Sequence, residues 1–163
     1  MNGFHMLKSL MILVVIAPAL LAQGGANCKV VGGAILTNFL DPSTTLGTAT
    51  GDLKGGLGVT VLSLLPGLGG TVIFHNHHHW VTEAGDTILF DDADAIAYPT
   101  GTPGLYAANY ANGVTLTGGT GRFAGATGKI AAFGAVDLNR QQVILRYEGQ
   151  ICFPPVTPPS GRE

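Results

Sequence analysis

From residue 28 onward the chain is cut into short runs by glycine. There are 25 glycines in 163 residues, and between them lie stretches rich in valine, isoleucine, threonine and aromatic side chains. Glycine weakens a helix interior but permits tight turns, whereas β-branched and aromatic residues suit a pleated surface. No stretch after residue 27 carries the 3.6-residue apolar period of an amphipathic helix. The runs 28–39, 48–65, 71–83, 87–98 and 143–152 read as strands, the first with a kink at Gly32 and Gly33. The segment 113–138 reads as two strands joined by a glycine-rich corner. Segments 41–47, 66–70, 84–86, 99–104 and 139–142 read as turns or loops from their Gly, Pro, Asp and Asn content. The last strand sets Val143, Leu145 and Tyr147 against Ile144, Arg146 and Glu148, the alternation of a half-buried strand. About seven or eight strands at this spacing predict an all-β sandwich or closed barrel.

The chain is long enough for one domain with its own core, and at 46% apolar and 11% charged residues it has the material to build it. A formal charge of −2 offers no basic surface for nucleic acid, and the glycines follow no Gly-X-Y period.

Residues 1–26 read as a secretory signal peptide. Lys8 precedes the apolar run Leu10–Ala22, shorter than the roughly 20 residues a membrane span needs, and Gly24 and Ala26 place small residues before a cleavage site. Cleavage after Ala22 is the alternative, with Leu20 a poor fit; retention as an N-terminal anchor is a further one. The reading predicts a secreted or periplasmic protein with no membrane span in the mature chain, a barrel domain at 27–153, and a Pro-rich flexible tail at 154–163.

Export makes a disulfide between Cys28 and Cys152 plausible, with two free thiols as the alternative. Such a bridge closes nearly the whole mature chain into one loop, a constraint worth about 4–5 kcal/mol in the chain-entropy picture. The two cysteines also favour a barrel over a sandwich. In an antiparallel barrel with an even strand number, the start of the first strand lies beside the end of the last, and a bridge there pins the seam.

The stretch LTGGTGRFAGATGKI (116–130) resembles the glycine-rich corner of the allene oxide cyclase and dirigent superfamily, with Gly118, Gly119, Thr120, Gly121, Phe123, Gly125 and Gly128 filling its pattern. The segments GTATGDLKG and YEGQIC are similar to parts of bacterial secreted proteins with the same barrel. The resemblance implies a single up-and-down antiparallel β-barrel of about eight strands, with Phe123 plugging one end. It also implies a homodimer or homotrimer, and a cavity that holds a small apolar molecule or reactive intermediate in one orientation. An isomerase or cyclase of that type is one alternative; a structural protein with a filled barrel is another. None of the cyclases' catalytic residues aligns onto this chain, so none is transferred.

Four of the five histidines fall in FHNHHHW, 74–80. On a strand His75, His77 and His79 share one face, with Glu83 in register, and Asn76, His78 and Trp80 share the other. No cofactor is required by the pattern, but the first set comprises candidate ligands for zinc or another divalent metal, and His77, His79 and Glu83 are candidate proton-transfer groups. The spacing His77-x-His79-x3-Glu83 is similar to the first cupin motif, yet no histidine follows His79 to supply the second. Along an ideal strand His75 and His79 stand about 13 Å apart, which rules out one ion for all three without a bulge. A plain polar row, facing solvent or lining the barrel, is the competing reading.

Other clusters carry less. Asp91, Asp92 and Asp94 could take calcium but lack an EF-hand frame, and an exposed acidic edge that discourages strand pairing explains them as well. Glu83 and Asp86 read as turn residues, and Asp52 and Lys54 as an ion pair. Ser43, Ser63 and Ser160 sit in no nucleophile elbow, and Gly118–Gly128 lacks the Gly-Lys-Ser/Thr ending of a phosphate loop.

Overall fold

The computed structural model describes residues 27–155. The expected signal peptide and residues 156–163 of the expected tail lie outside the described residues.

Ten strands form one sheet. They are β1 (Asn27–Asp41), β2 (Thr44–Ala49), β3 (Gly55–Pro66), β4 (Val72–Thr82), β5 (Thr87–Phe90), β6 (Ala93–Pro99), β7 (Leu105–Asn109), β8 (Val114–Gly119), β9 (Thr127–Asp137) and β10 (Gln142–Phe153). Every pairing is antiparallel. β5 and β6 both lie along β4, at Trp80↔Ile88 and Val72↔Ala97, so they are two halves of one stave interrupted at Asp91 and Asp92. β7 and β8 both lie along β9, at Ala108↔Gly134 and Val114↔Ile130, and form a second stave interrupted at Tyr110–Gly113. β10 pairs with both β9 and β1, which closes the sheet. The result is an eight-stave up-and-down barrel with strands in chain order, the fold class that the strand spacing and the cysteines predict. Cys28 and Cys152 are directly opposed across the β1–β10 seam and form a disulfide.

One end of the barrel is shut. Phe123 is fully buried there and packs against Phe153, with ring centroids 5.8 Å apart. Leu53, from the short 3-10 turn Gly51–Leu53, caps the interior and is held at both backbone groups. Its N–H donates to the Tyr147 hydroxyl at 2.9 Å, and its carbonyl accepts from Trp80 Nε1–H at 2.8 Å. Tyr147 in turn donates to the Thr50 carbonyl at 2.7 Å. The tyrosine reaches this position because Gly33 has no side chain: a Cβ there would collide with Thr50 and lie 2.7 Å from the Tyr147 ring. The glycine-rich corner folds over the same end. Gly121 has φ of 53°, and a Cβ on it would run into the Asp86 carboxylate, so both conformation and space demand glycine.

The other end is a mouth ringed by half-buried Phe39, Val61, Phe74 and Val143. The inward residues of β10 follow the predicted alternation, with Leu145 and Tyr147 buried and Ile144, Arg146 and Glu148 exposed.

Besides the break in the run 87–98 at Asp91 and Asp92, three details depart from the sequence reading. The loop expected at 41–47 shrinks to Asp41–Ser43, where the Asp41 carboxylate accepts bonds from the Ser43 N–H and hydroxyl at 2.8 and 2.9 Å, and β2 starts at Thr44. The single run 48–65 is a hairpin, split at Gly51–Leu53. β7 was not foreseen, since Leu105–Asn109 is short and follows a Pro-rich break.

Candidate functional site

The alternation of β4 decides what faces the lumen. Asn76, His78 and Trp80 point inward and His75, His77 and His79 point outward. The lumen holds a cavity of about 90 Å³. Its walls are aliphatic and aromatic, and no Asp, Glu, Lys or Arg contributes to them.

Besides the buried Thr37 and Thr45, four polar side chains interrupt the apolar wall: Asn76 and His78 from β4, Asn109 from the end of β7, and Tyr110 from the break that follows. The break places Tyr110. Its N–H donates to the Ala132 carbonyl at 2.8 Å, and its own carbonyl accepts from Gly113 N–H at 2.8 Å, a turn closed by Gly113 at φ of 67°. The buried Tyr110 hydroxyl lies 3.0 Å from Asn76 Nδ2 and 2.9 Å from His78 Nε2. Asn76 Nδ2 can only donate. If the tyrosine gives its single proton to His78 Nε2, the imidazole proton sits on Nδ1 and the hydroxyl is fully used.

Three buried atoms then have no protein partner: Asn76 Oδ1, His78 Nδ1 and Asn109 Oδ1. An orphaned buried polar atom costs about 1–3 kcal/mol, so three on one wall mark a place where something else supplies the bonds. Burial, reinforced by His77 and His79 and opposed by Asp92, pulls His78 down to about 4, which keeps the ring neutral at pH 7. Burial also pushes the Tyr110 phenol above its usual value, partly offset by the Asn76 hydrogen bond. The arrangement can orient a neutral guest and can pass a proton along Tyr110–His78. It offers nothing to balance a formal charge.

The residues singled out from the sequence lie elsewhere. His75 and His77 stand on the outer face, each bonded through Nδ1 to a carboxylate, Asp94 at 2.8 Å and Asp92 at 2.6 Å. His79 is exposed, and its ring centroid is 4.6 Å from that of His77. Glu83 is in the β4–β5 turn and pairs with Lys54 at 2.7 Å. The expected Asp52–Lys54 pair is therefore not formed; Asp52 instead accepts from Gly32 N–H at 2.8 Å. Asp86 faces Arg122 at 3.9 Å across the closed end. The acidic run is no free edge, because Asp94 pairs with His75 within β6, and Asp91 and Asp92 form the break between two paired strands. Among the described residues, no three His, Cys, Asp or Glu side chains converge closely enough to hold a metal ion.

Sequence reasoning missed Tyr110 and Asn109 and gave Asn76 and His78 no role. A signal existed for the last two: a polar pair between Phe74 and Trp80 on one strand face. Tyr110 carried none, since it meets β4 from more than 30 positions away.

Fold and lumen together define a class, a closed antiparallel barrel with an apolar interior and an uncharged polar cluster inside it. No family model matches the chain, and no curated protein matches it. Among solved structures it is similar to a pterocarpan synthase dirigent protein, at 13% identity and a TM-score of 0.33, over 86% of this chain and 97% of that one. Among the described residues, no helix is long and apolar enough to cross a membrane.

Proposed function

We propose that this protein is exported and that its barrel holds a small, neutral, largely apolar molecule, with the Asn76–His78–Asn109–Tyr110 cluster orienting the guest. The observation that carries this reading is the set of three orphaned buried polar atoms in an apolar lumen with an open mouth. The cavity is smaller than the roughly 300 Å³ and upward of drug-sized sites, and below the engineered cavities of about 150 Å³ that take up benzene. A guest therefore enters only in part, by a chain end or the edge of a ring, its remainder held at the mouth by Phe39, Phe74 and Val143. The disulfide and the apolar run before Ala26 support export, and the corner at 116–130 supports kinship with allene oxide cyclase and dirigent-type barrels.

Trp80 is the single tryptophan of the chain and lines the lumen, so its emission reports occupancy. Benzyl alcohol should change that emission saturably, toluene more weakly, and benzoate not at all. Asn76→Leu should erase the preference for the alcohol. The reading fails if none of the three perturbs Trp80 and native mass spectra of the exported protein carry no retained guest.

The Tyr110–His78 pair favours a second reading, an isomerase or cyclase in which the pair moves a proton on the bound guest. In that case Tyr110→Phe abolishes turnover while the guest still binds; turnover that survives the change removes the reading.

A further inference from the structure

On the outer face of β4 we infer a binding site for a divalent transition-metal ion, formed by His77 and His79 and backed by Asp92. The site is separated from the lumen by the barrel wall and does not depend on the reading of the interior.

One ring nitrogen of His77 is free of the carboxylate. His77 is bonded through Nδ1 to the Asp92 carboxylate, so in the neutral ring the proton lies on Nδ1 and the lone pair on Nε2, directed away from that carboxylate. This is how ligating histidines are usually held: the second ring nitrogen donates to a carboxylate, which fixes the tautomer, orients the ring and raises its basicity. The break between β5 and β6 at Asp91–Asp92 is what brings the carboxylate alongside His77.

The second ligand is near. The two rings approach edge to face with centroids 4.6 Å apart. Two imidazoles bound to one ion at about 2.0–2.1 Å, in adjacent positions, have centroids about 4.5–5 Å apart. The separation fits before any backbone change, and only the ring of His79 need turn. It has room to do so, because His79 is exposed and the residue opposite it on β3, Gly58, carries no side chain. Asp92 and Asp94 add negative charge around the pair, which favours a cation.

His75 does not join. It is engaged with Asp94, and a further strand repeat of about 6.6 Å separates it from His77. The ion accordingly takes two protein ligands, and water or an outside ligand fills the remaining positions. Imidazole pairs suit copper, nickel and zinc, and the general affinity order places Cu²⁺ first. Such a site exchanges its ion readily; it suits capture or delivery of a metal, not permanent retention.

The test uses the untagged chain with Cu²⁺ alone, followed by calorimetry and electron paramagnetic resonance. The wild type should show nitrogen couplings from two imidazoles at this site. His77→Ala and His79→Ala should each weaken binding at least about tenfold and remove one coupling. His75→Ala should leave both unchanged. Asp92→Asn, a change in a positioning residue, should weaken binding by about 10–100-fold and alter the copper spectrum while keeping both couplings. All four side chains face outward, and unchanged Trp80 emission confirms an intact barrel. The assignment is overturned if the His77→Ala/His79→Ala double variant binds copper as tightly as wild type, or if His75→Ala costs as much as His77→Ala. An Asp92→Asn variant that binds like wild type overturns the role given to the carboxylate.

Discussion

The two faces of β4 place the same residue type in opposite circumstances. His78 points into the lumen among Phe90, Tyr110 and Trp80; His75 and His77, one position to either side of Asn76, stand in water against carboxylates. Inside, an imidazole is costly to charge and its hydrogen bonds are few, so each partner counts. Outside, solvent screens the ion pairs and supplies replacements when a partner is lost. The strand teaches that composition locates the histidines, while side-chain parity decides their chemistry.

The sharpest way to break this contrast is truncation. Trp80→Ala removes a buried ring and the bond that holds Leu53 over the closed end, and should cost about 3–5 kcal/mol in urea unfolding followed by circular dichroism. His79→Ala, one position away on the outer face, should stay within about 0.5 kcal/mol. Equal losses would contradict the assignment of the two faces.

Acid comes next. The unfolded chain protonates His78 near 6.5 and the folded one only near 4, so between these values the unfolded state carries more protons and stability falls as pH falls. The groups around the ring are Tyr110, which bonds it, and His77, His79 and Asp92, which act through their charges. The loss attributable to His78 approaches about 3 kcal/mol below pH 4 and is absent above pH 7. In chelator-treated protein, His78→Asn should flatten this part of the profile. A variant with the wild-type pH dependence would show that His78 is not the group responsible.

Tyr110→Phe should cost about 1–3 kcal/mol, because it strands Asn76 Nδ2 and His78 Nε2 in an apolar lumen. Replacing Asn76 by Leu in the same background should recover part of the loss, since the orphan goes with it; additive costs would mean the three side chains do not act as a network. The smallest effect belongs to Asp92→Asn. The His77–Asp92 pair is about two-fifths exposed on both sides, and its loss should stay under about 1 kcal/mol in metal-free protein and fade with added salt.

Much of the barrel was legible because it rests on local chemistry. The alternation of β10 and the glycines around Phe123 each state their role within about a dozen residues, and the cysteines, 124 residues apart, mark the first and last strands. What escaped depends on closure. The interruptions at Asp91–Asp92 and Tyr110–Gly113 arise where a long stave bends round the barrel, and no local signal separates them from a continuous strand or a plain loop. Asp52 and Lys54 look like partners in sequence, yet the hairpin beyond them presents Glu83 to the lysine and β1 presents a backbone N–H to the aspartate. The candidate site was half visible: parity separates His78 from its neighbours, but only the folded wall brings Tyr110 and Asn109 to it.

The seam disulfide has a mechanical consequence. Cys28 and Cys152 lie at the start of β1 and the end of β10, so tension applied to the two ends of the barrel domain passes from one cysteine to the other through a covalent link. The eight staves bear none of that load while the link is intact. In a reducing medium the same pull would act on the hydrogen bonds between β1 and β10 and peel them apart pair by pair from the Cys28 end.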